Sequence, residues 1–165
     1  MGKEIKVMVD LSKFSYGITS SVVTSLALIV GLDEITNSKM SIISALLLIA
    51  IADNISDSLG IHIYRESAYS KTKNNIKVYT FSNFLTRLTV TLLFVLLVMF
   101  LPIQYAILSS IVLGLSLLSA LSYLIAVNQK TNPYLQIFQH VGIAIVVLIT
   151  SHFVGQTIVN MFKKP

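Results

Sequence analysis

The segment from Ser41 to Tyr64, SIISALLLIAIADNISDSLGIHIY, constrains the fold more than any other part of the chain. It opens with an uncharged, mostly apolar run from Ile42 to Ala52. Asp53, Asn54, Ser56, Asp57, Ser58 and His62 follow, before the charged pair Arg65–Glu66. As a helix, these 24 residues rise about 36 Å, more than the roughly 30 Å of a bilayer's hydrocarbon core. Two carboxylic acids then fall at the middle and inner half of a membrane helix. Acids at that depth are costly, so they turn towards a protein interior or a water-filled path.

The rest of the chain fits this reading. Of 165 residues, 55% are hydrophobic and 12% charged, about half the charged share of an ordinary soluble domain. No room is left for a separate soluble domain. Cysteine is absent, which excludes disulfides and thiolate metal sites. Residues 2–13 are charged and weakly patterned, suited to a short surface helix, and lack the apolar core and cleavage site of a secretory signal.

Five spans are expected, at about 14–32, 41–64, 83–101, 103–127 and 135–162. Pro102 leaves so short a link that the third and fourth spans must form a tight antiparallel hairpin. The helical pattern of the second span continues through Arg65 towards Asn74. The fold class is all-α: a polytopic membrane protein forming a single transmembrane domain. Five spans put the termini on opposite sides. Of the 12 Lys and Arg residues, nine fall on the N-terminal side when Arg87 is counted at its boundary. The N-terminus is therefore expected in the cytoplasm and the C-terminus outside. The net charge of +5 reads as this orientation signal, not as a nucleic-acid surface.

At 100° per residue, Asp53 and Asp57 share a helix face, Asn54 and Ser58 form the neighbouring stripe, and His62 lies at its edge. These oxygen and nitrogen donors suit a divalent cation, and the same acids could carry protons. The alternative is that they only bond to neighbouring helices and hold the bundle together. In the first span, Tyr16, Ser20 and Thr24 form a polar ladder that could line a path facing the acids, or could simply permit close packing. His140 and His152 lie twelve residues apart on the last span, at an angle unsuited to holding one ion, and His152 reads as a core hydrogen bond before a proton relay. Arg87 and Lys71–Lys77 read as interfacial anchors. No nucleotide-binding loop, nucleophile elbow or metalloprotease helix occurs, so nothing suggests an enzyme.

The order of features resembles the vacuolar iron transporter family and its prokaryotic relatives. Tyr16-Gly17-Ile18-Thr19 through Ser25 to Leu32 resembles that family's opening span. Ala52-Asp53 through Leu59-Gly60 to Tyr64 resembles its second span, and Pro102, Gly142 and Gly155 also fit. The resemblance implies a homodimer in the cell membrane of a prokaryote, with first spans meeting around an ion path. It further implies export of a divalent metal such as iron(II) or manganese, as substrate and not cofactor, in exchange for protons. Asp53 stands at a family carboxylate, and Asp57, Asn54 and His62 would complete the metal site, with Tyr16, Ser20, Thr24 and Ser58 lining the pathway. Tyr16 replaces the family's aspartate, Ile61 its methionine, and a short basic stretch from Ser67 to Ser82 its Glu-rich helices. Two other functions remain open: a non-transporting membrane scaffold or partner subunit, and a transporter of a small organic cation. Cavity size separates the last from a metal site, since a bare ion needs oxygens at about 2.0–2.6 Å and an organic cation needs a roomier pocket.

Overall fold

The computed structural model describes residues 12–68 and 73–162, which are helical apart from the short links at 37–38, 101–102 and 130–132 and contain no strand. In chain order the helices are α1 (Ser12–Thr36), α2 (Lys39–Leu48), a π-helical turn (Ile49–Asp53), α3 (Asn54–Ala68), α4 (Lys73–Phe100), α5 (Ile103–Gln129) and α6 (Pro133–Phe162). α2, the π turn and α3 run on as a single span. Five helices are long and apolar enough to cross a bilayer: Phe14–Thr36, Lys39–Ser67, Ile76–Phe100, Ile103–Gln129 and Pro133–Phe162. The chain is an all-α polytopic membrane protein. The surface helix expected over residues 2–13, and the link through residues 69–72, lie outside the described residues, apart from Ser12 and Lys13 in the first turn of α1.

Two span boundaries differ from the hydropathy reading. α1 continues to Thr36, past Leu32, carrying Asp33 and Glu34 on its last turn. α4 begins at Lys73, ten residues before Asn83. Hydropathy marks the part of a helix that suits hydrocarbon, whereas backbone hydrogen bonding continues through polar residues. The second shift matters more. Arg87 lies 11 residues after Ile76 and 13 before Phe100, in the middle of the span and not at an interface.

The helix ends have local causes. Ser38 caps α2, its hydroxyl accepting from the Ser41 N–H at 3.4 Å. Pro102 stands just ahead of α5, where its missing N–H is not needed, and its carbonyl accepts from the Ala106 N–H at 2.9 Å. Lys130 ends α5 in the left-handed region (φ 55°), and the Thr131 N–H closes back on the Ala126 carbonyl at 2.9 Å.

α1 is the shared helix, packing on α2, α4, α5 and α6. Its buried stripe, Ser21, Val22, Ser25, Leu26 and Ile29, joins Phe94 and Val98 of α4 and Leu118 of α5 in the core. Lipid is as apolar as leucine, so close backbone approach replaces the hydrophobic effect as the source of cohesion. Small residues supply it: Gly114 of α5 lies under Val22 and Leu26, and Gly155 of α6 faces the Gly31 carbonyl. α6 is the outermost helix, with Phe138, Val146, Ile149 and Phe153 exposed, as a lipid-facing helix requires.

The second span carries the departure from α geometry. Its buried residues recur at every fourth position: Ile42, Leu46, Ala50, Asn54 and Ser58. In a regular α-helix each such step drifts by about 40°, so the stripe would wind off the protein within three turns. The π turn absorbs one surplus residue, with the Asn54 N–H donating five residues back to the Ile49 carbonyl. Asp53 lies midway along this span, fourteen residues from both Lys39 and Ser67, or about 21 Å from each end.

Candidate cation site

The π turn delivers Asp53 and Asp57 to the same side chain, Arg87 of α4. The Arg87 guanidinium pairs through Nη2 with Asp53 Oδ2 and through Nη1 with Asp57 Oδ2. Arg87 is 2% exposed, whereas the Asp57 side chain is 29% and the Asp53 side chain 47% exposed. Asp57 Oδ2 also accepts from the Tyr16 hydroxyl at 3.3 Å and the Ser20 hydroxyl at 3.5 Å, both on α1. Three helices thus converge on two carboxylates and one guanidinium. With both acids ionised, the cluster carries one surplus negative charge at mid-span.

The two acids are unequal. Asp57 is surrounded by donors and recessed between α1, α3 and α4. Among the described residues Asp53 has Arg87 alone, and it opens outward, beside the exposed Ile51 and Ala52.

The other expected donors do not join them. Asn54, successor to Asp53 on the helix, points about 100° away into the α4 interface, where its amide donates to the Phe84 carbonyl at 2.9 Å. Ser58 is buried on that same side. His62 is close to the Thr80 hydroxyl, Nδ1 to Oγ1 3.4 Å, more than a turn below Asp57. Among the described residues, no group of three or more His, Asp or Glu side chains is placed to hold one metal ion. Of the expected set Asp53, Asp57, Asn54 and His62, the two acids meet at Arg87, while Asn54 and His62 face Phe84 and Thr80 instead. Of the pathway ladder, Tyr16 and Ser20 reach Asp57 from within the same chain, and no hydrogen bond joins Thr24 to either acid among the described residues.

Arg87 is the residue that sequence reasoning misplaced. Its signal was present: Asn83, Arg87 and Thr91 recur at four-residue spacing on α4, and each is 2% exposed. With Arg87 removed from the interfacial count, nine basic residues become eight on the N-terminal side, still against three on the other.

From Asp57 a cleft of about 590 Å³ runs towards the end of the bundle where Arg65 and Lys77 lie. Tyr16, Tyr64, Arg65, Tyr79 and Asn83 line it, with Gly60 leaving its floor open. The Arg65 guanidinium rests over the Tyr79 ring, 3.8 Å from its centroid. The remaining histidines are occupied separately: His140 lies 2.8 Å from the Ser122 hydroxyl, and His152 Nδ1 lies 2.8 Å from Glu34 Oε1. As their spacing implies, they form no joint site.

No family model, curated protein or solved structure matches this chain.

Proposed function

We propose that the protein exports a cation from the cytoplasm in exchange for protons, with Asp53, Arg87 and Asp57 as the exchange site. The observation that carries this reading is the surplus carboxylate of the cluster, halfway across the membrane and connected to a cleft at the basic end. Proton and cargo compete for that surplus charge, which is the minimum requirement of an antiporter. Arg87 keeps the acids from standing as two bare negative charges when the site holds neither.

The cargo that the family resemblance implies is a divalent metal such as iron(II) or manganese. Asp57, at the inner end of the cleft, receives it first, and engagement of both acids requires the guanidinium to move aside. The cleft favours a second reading, a small organic cation, because its volume far exceeds that of a bare ion held by oxygens. The scaffold reading is weakened by the same cleft, since acids serving only to hold helices together need no opening.

A second copy of the chain fits the open side of α3. Asp53 there stands half exposed among Ile51, Ile55 and Leu59, and a carboxylate facing lipid at mid-bilayer is costly. This supports a homodimer that covers it; residence in the cell membrane of a prokaryote follows from the family resemblance alone.

The test is cation flux in proteoliposomes containing a pH dye, with iron(II), manganese and zinc tried in turn. We expect uptake of one cation with opposite proton movement, abolished by Asp53→Asn. Metal-dependent flux that persists in the Asp53→Asn, Asp57→Asn double variant would sink the proposal.

A further inference from the structure

We infer that the Arg87 guanidinium has a second resting place, formed by the unpaired amides of Asn83 and Asn54, and occupies it when cargo takes both acids. The inference deepens the exchange reading above and rests on it, since engagement of both acids there requires the guanidinium to move aside. Asn83 and Asn54 are then positioning residues, acting on the cargo only through Arg87.

The starting point is a pair of orphaned amides. Asn83 is 2% exposed and Asn54 1%. Both amide atoms of Asn83 and the amide oxygen of Asn54 are buried, and none of the three has a hydrogen-bond partner among the described residues. Buried amides are ordinarily paired, and an unmade bond at this depth costs free energy. Solvent and ligands do not reach these atoms. Asn83 lies against α1, where a Cβ added to Gly17 would be 3.0 Å from its Oδ1. Asn54 is held against α4 by the bond from its Nδ2 to the Phe84 carbonyl at 2.9 Å, so the atom left over is an acceptor. Only a neighbouring side chain can pair with them.

Arg87 is that neighbour. It stands one turn beyond Asn83 on α4, and both face α1: Gly17 packs on Asn83, and the Ser21 hydroxyl donates to the Arg87 carbonyl at 3.4 Å. Side chains on a helix slant towards its N-terminus, so the Arg87 side chain lies over the turn that holds Asn83 and Phe84. Asn54 meets the same turn from α3. A turn rises about 5.4 Å, within the length of an arginine side chain. The guanidinium has N–H donors and no acceptor, which matches two free amide oxygens.

Two seats change the energetics of displacement. Arg87 is 2% exposed, and a buried charge stripped of its partners is strongly destabilising. At the acids the guanidinium is ion-paired and the amides go without. At the amides it is hydrogen-bonded, and Asp53 and Asp57 are both free to hold a cation. Cargo then has to supply only the difference between the two seats.

The test is a thermodynamic cycle on the full chain in detergent, read as melting temperature and needing no cargo. Asp53→Ala with Asp57→Ala removes the first seat and sends the guanidinium to the second. In that background Asn83→Ala should lower the melting temperature by at least about 6 °C more than in wild type, where the amide has no partner to lose. The cavity left by the truncation is common to both backgrounds and cancels. Asn54→Ala should show the same excess, beyond the loss of its Phe84 bond in both. Adding Arg87→Met should abolish the excess. If the alanine pair does not fold, Asp53→Asn with Asp57→Asn replaces it, with an excess about half as large because those amides keep part of the first seat.

Equal losses in the two backgrounds would overturn the second seat. So would an excess that survives Arg87→Met, since the asparagines would then act through packing alone. Either result would leave proton-coupled flux standing. Absence of flux with the excess present would do the reverse, removing the exchange reading and keeping the movable guanidinium.

Discussion

Among the described residues the bundle contains two sets of opposed charges, and they are built differently. Asp53, Arg87 and Asp57 meet in the middle of the spans, around a guanidinium sealed from solvent, with two negative charges against one positive. Glu34 and His152 meet near the opposite end of the bundle, one against one at most, with side chains 29% and 42% exposed. The first arrangement is costly to assemble and leaves charge unbalanced. The second is cheap and closed. Ion pairs that merely join helices gather at the wet ends; an unbalanced cluster retained at mid-bilayer needs a further reason, and transport is the reason offered here.

The contrast can be broken by mutation. Arg87→Met should cost the most, about 3–5 kcal/mol, because the recessed Asp57 and the half-exposed Asp53 are left at mid-span without their partner. Denaturation in detergent measures this. Repeating Arg87→Met in the Asp53→Asn, Asp57→Asn background should cost close to nothing, since the charges are removed together. A large cost in both backgrounds would mean that Arg87 acts through packing alone, and the contrast with Glu34 would lose its basis.

Gly155→Ala should come next, at about 1–3 kcal/mol. An added methyl there would lie 2.7 Å from the Gly31 carbonyl and 2.8 Å from Glu34 Cβ, which forces α1 and α6 apart. If this substitution proved as costly as Arg87→Met, helix packing and not charge would dominate both regions. The smallest effect should be Glu34→Gln, below about 1 kcal/mol, because a partly exposed pair is screened and its histidine can turn to solvent. A loss comparable with that of Arg87→Met would place the two pairs in the same class.

The sequence made the five spans legible because hydrocarbon thickness dictates the length of apolar runs. It was less informative about where helices end, as Thr36 and Lys73 show, since backbone hydrogen bonds continue through residues that hydropathy assigns to water. The acids were legible from their depth, and Tyr16 and Ser20 from their spacing. The partner of the acids was not, because Arg87 follows the polar run Asn74–Ser82 and so resembles an anchor. Only the recurrence of Asn83, Arg87 and Thr91 tells otherwise. Asn54 was misread for a simpler reason: adjacency in sequence turns a side chain by about 100° and sends it to a different neighbour.

The surplus residue in the second span makes its length and its facing separable. Leu46 and Asn54 are both buried, eight positions apart, which a regular α-helix would turn by about 80°. Seven positions would return almost to the starting direction, within about 20°. Deleting Ala52, which is exposed, would therefore convert the π turn to ordinary helix and shorten the span by about 1.5 Å, while Asp53 and Asp57 still meet Arg87. A one-residue deletion elsewhere in a membrane helix swings everything beyond it to a new face. At this one turn, the chain is expected to tolerate the loss of a residue better than a deletion at Leu96 in α4, and comparing the melting temperatures of the two deletion variants would show it.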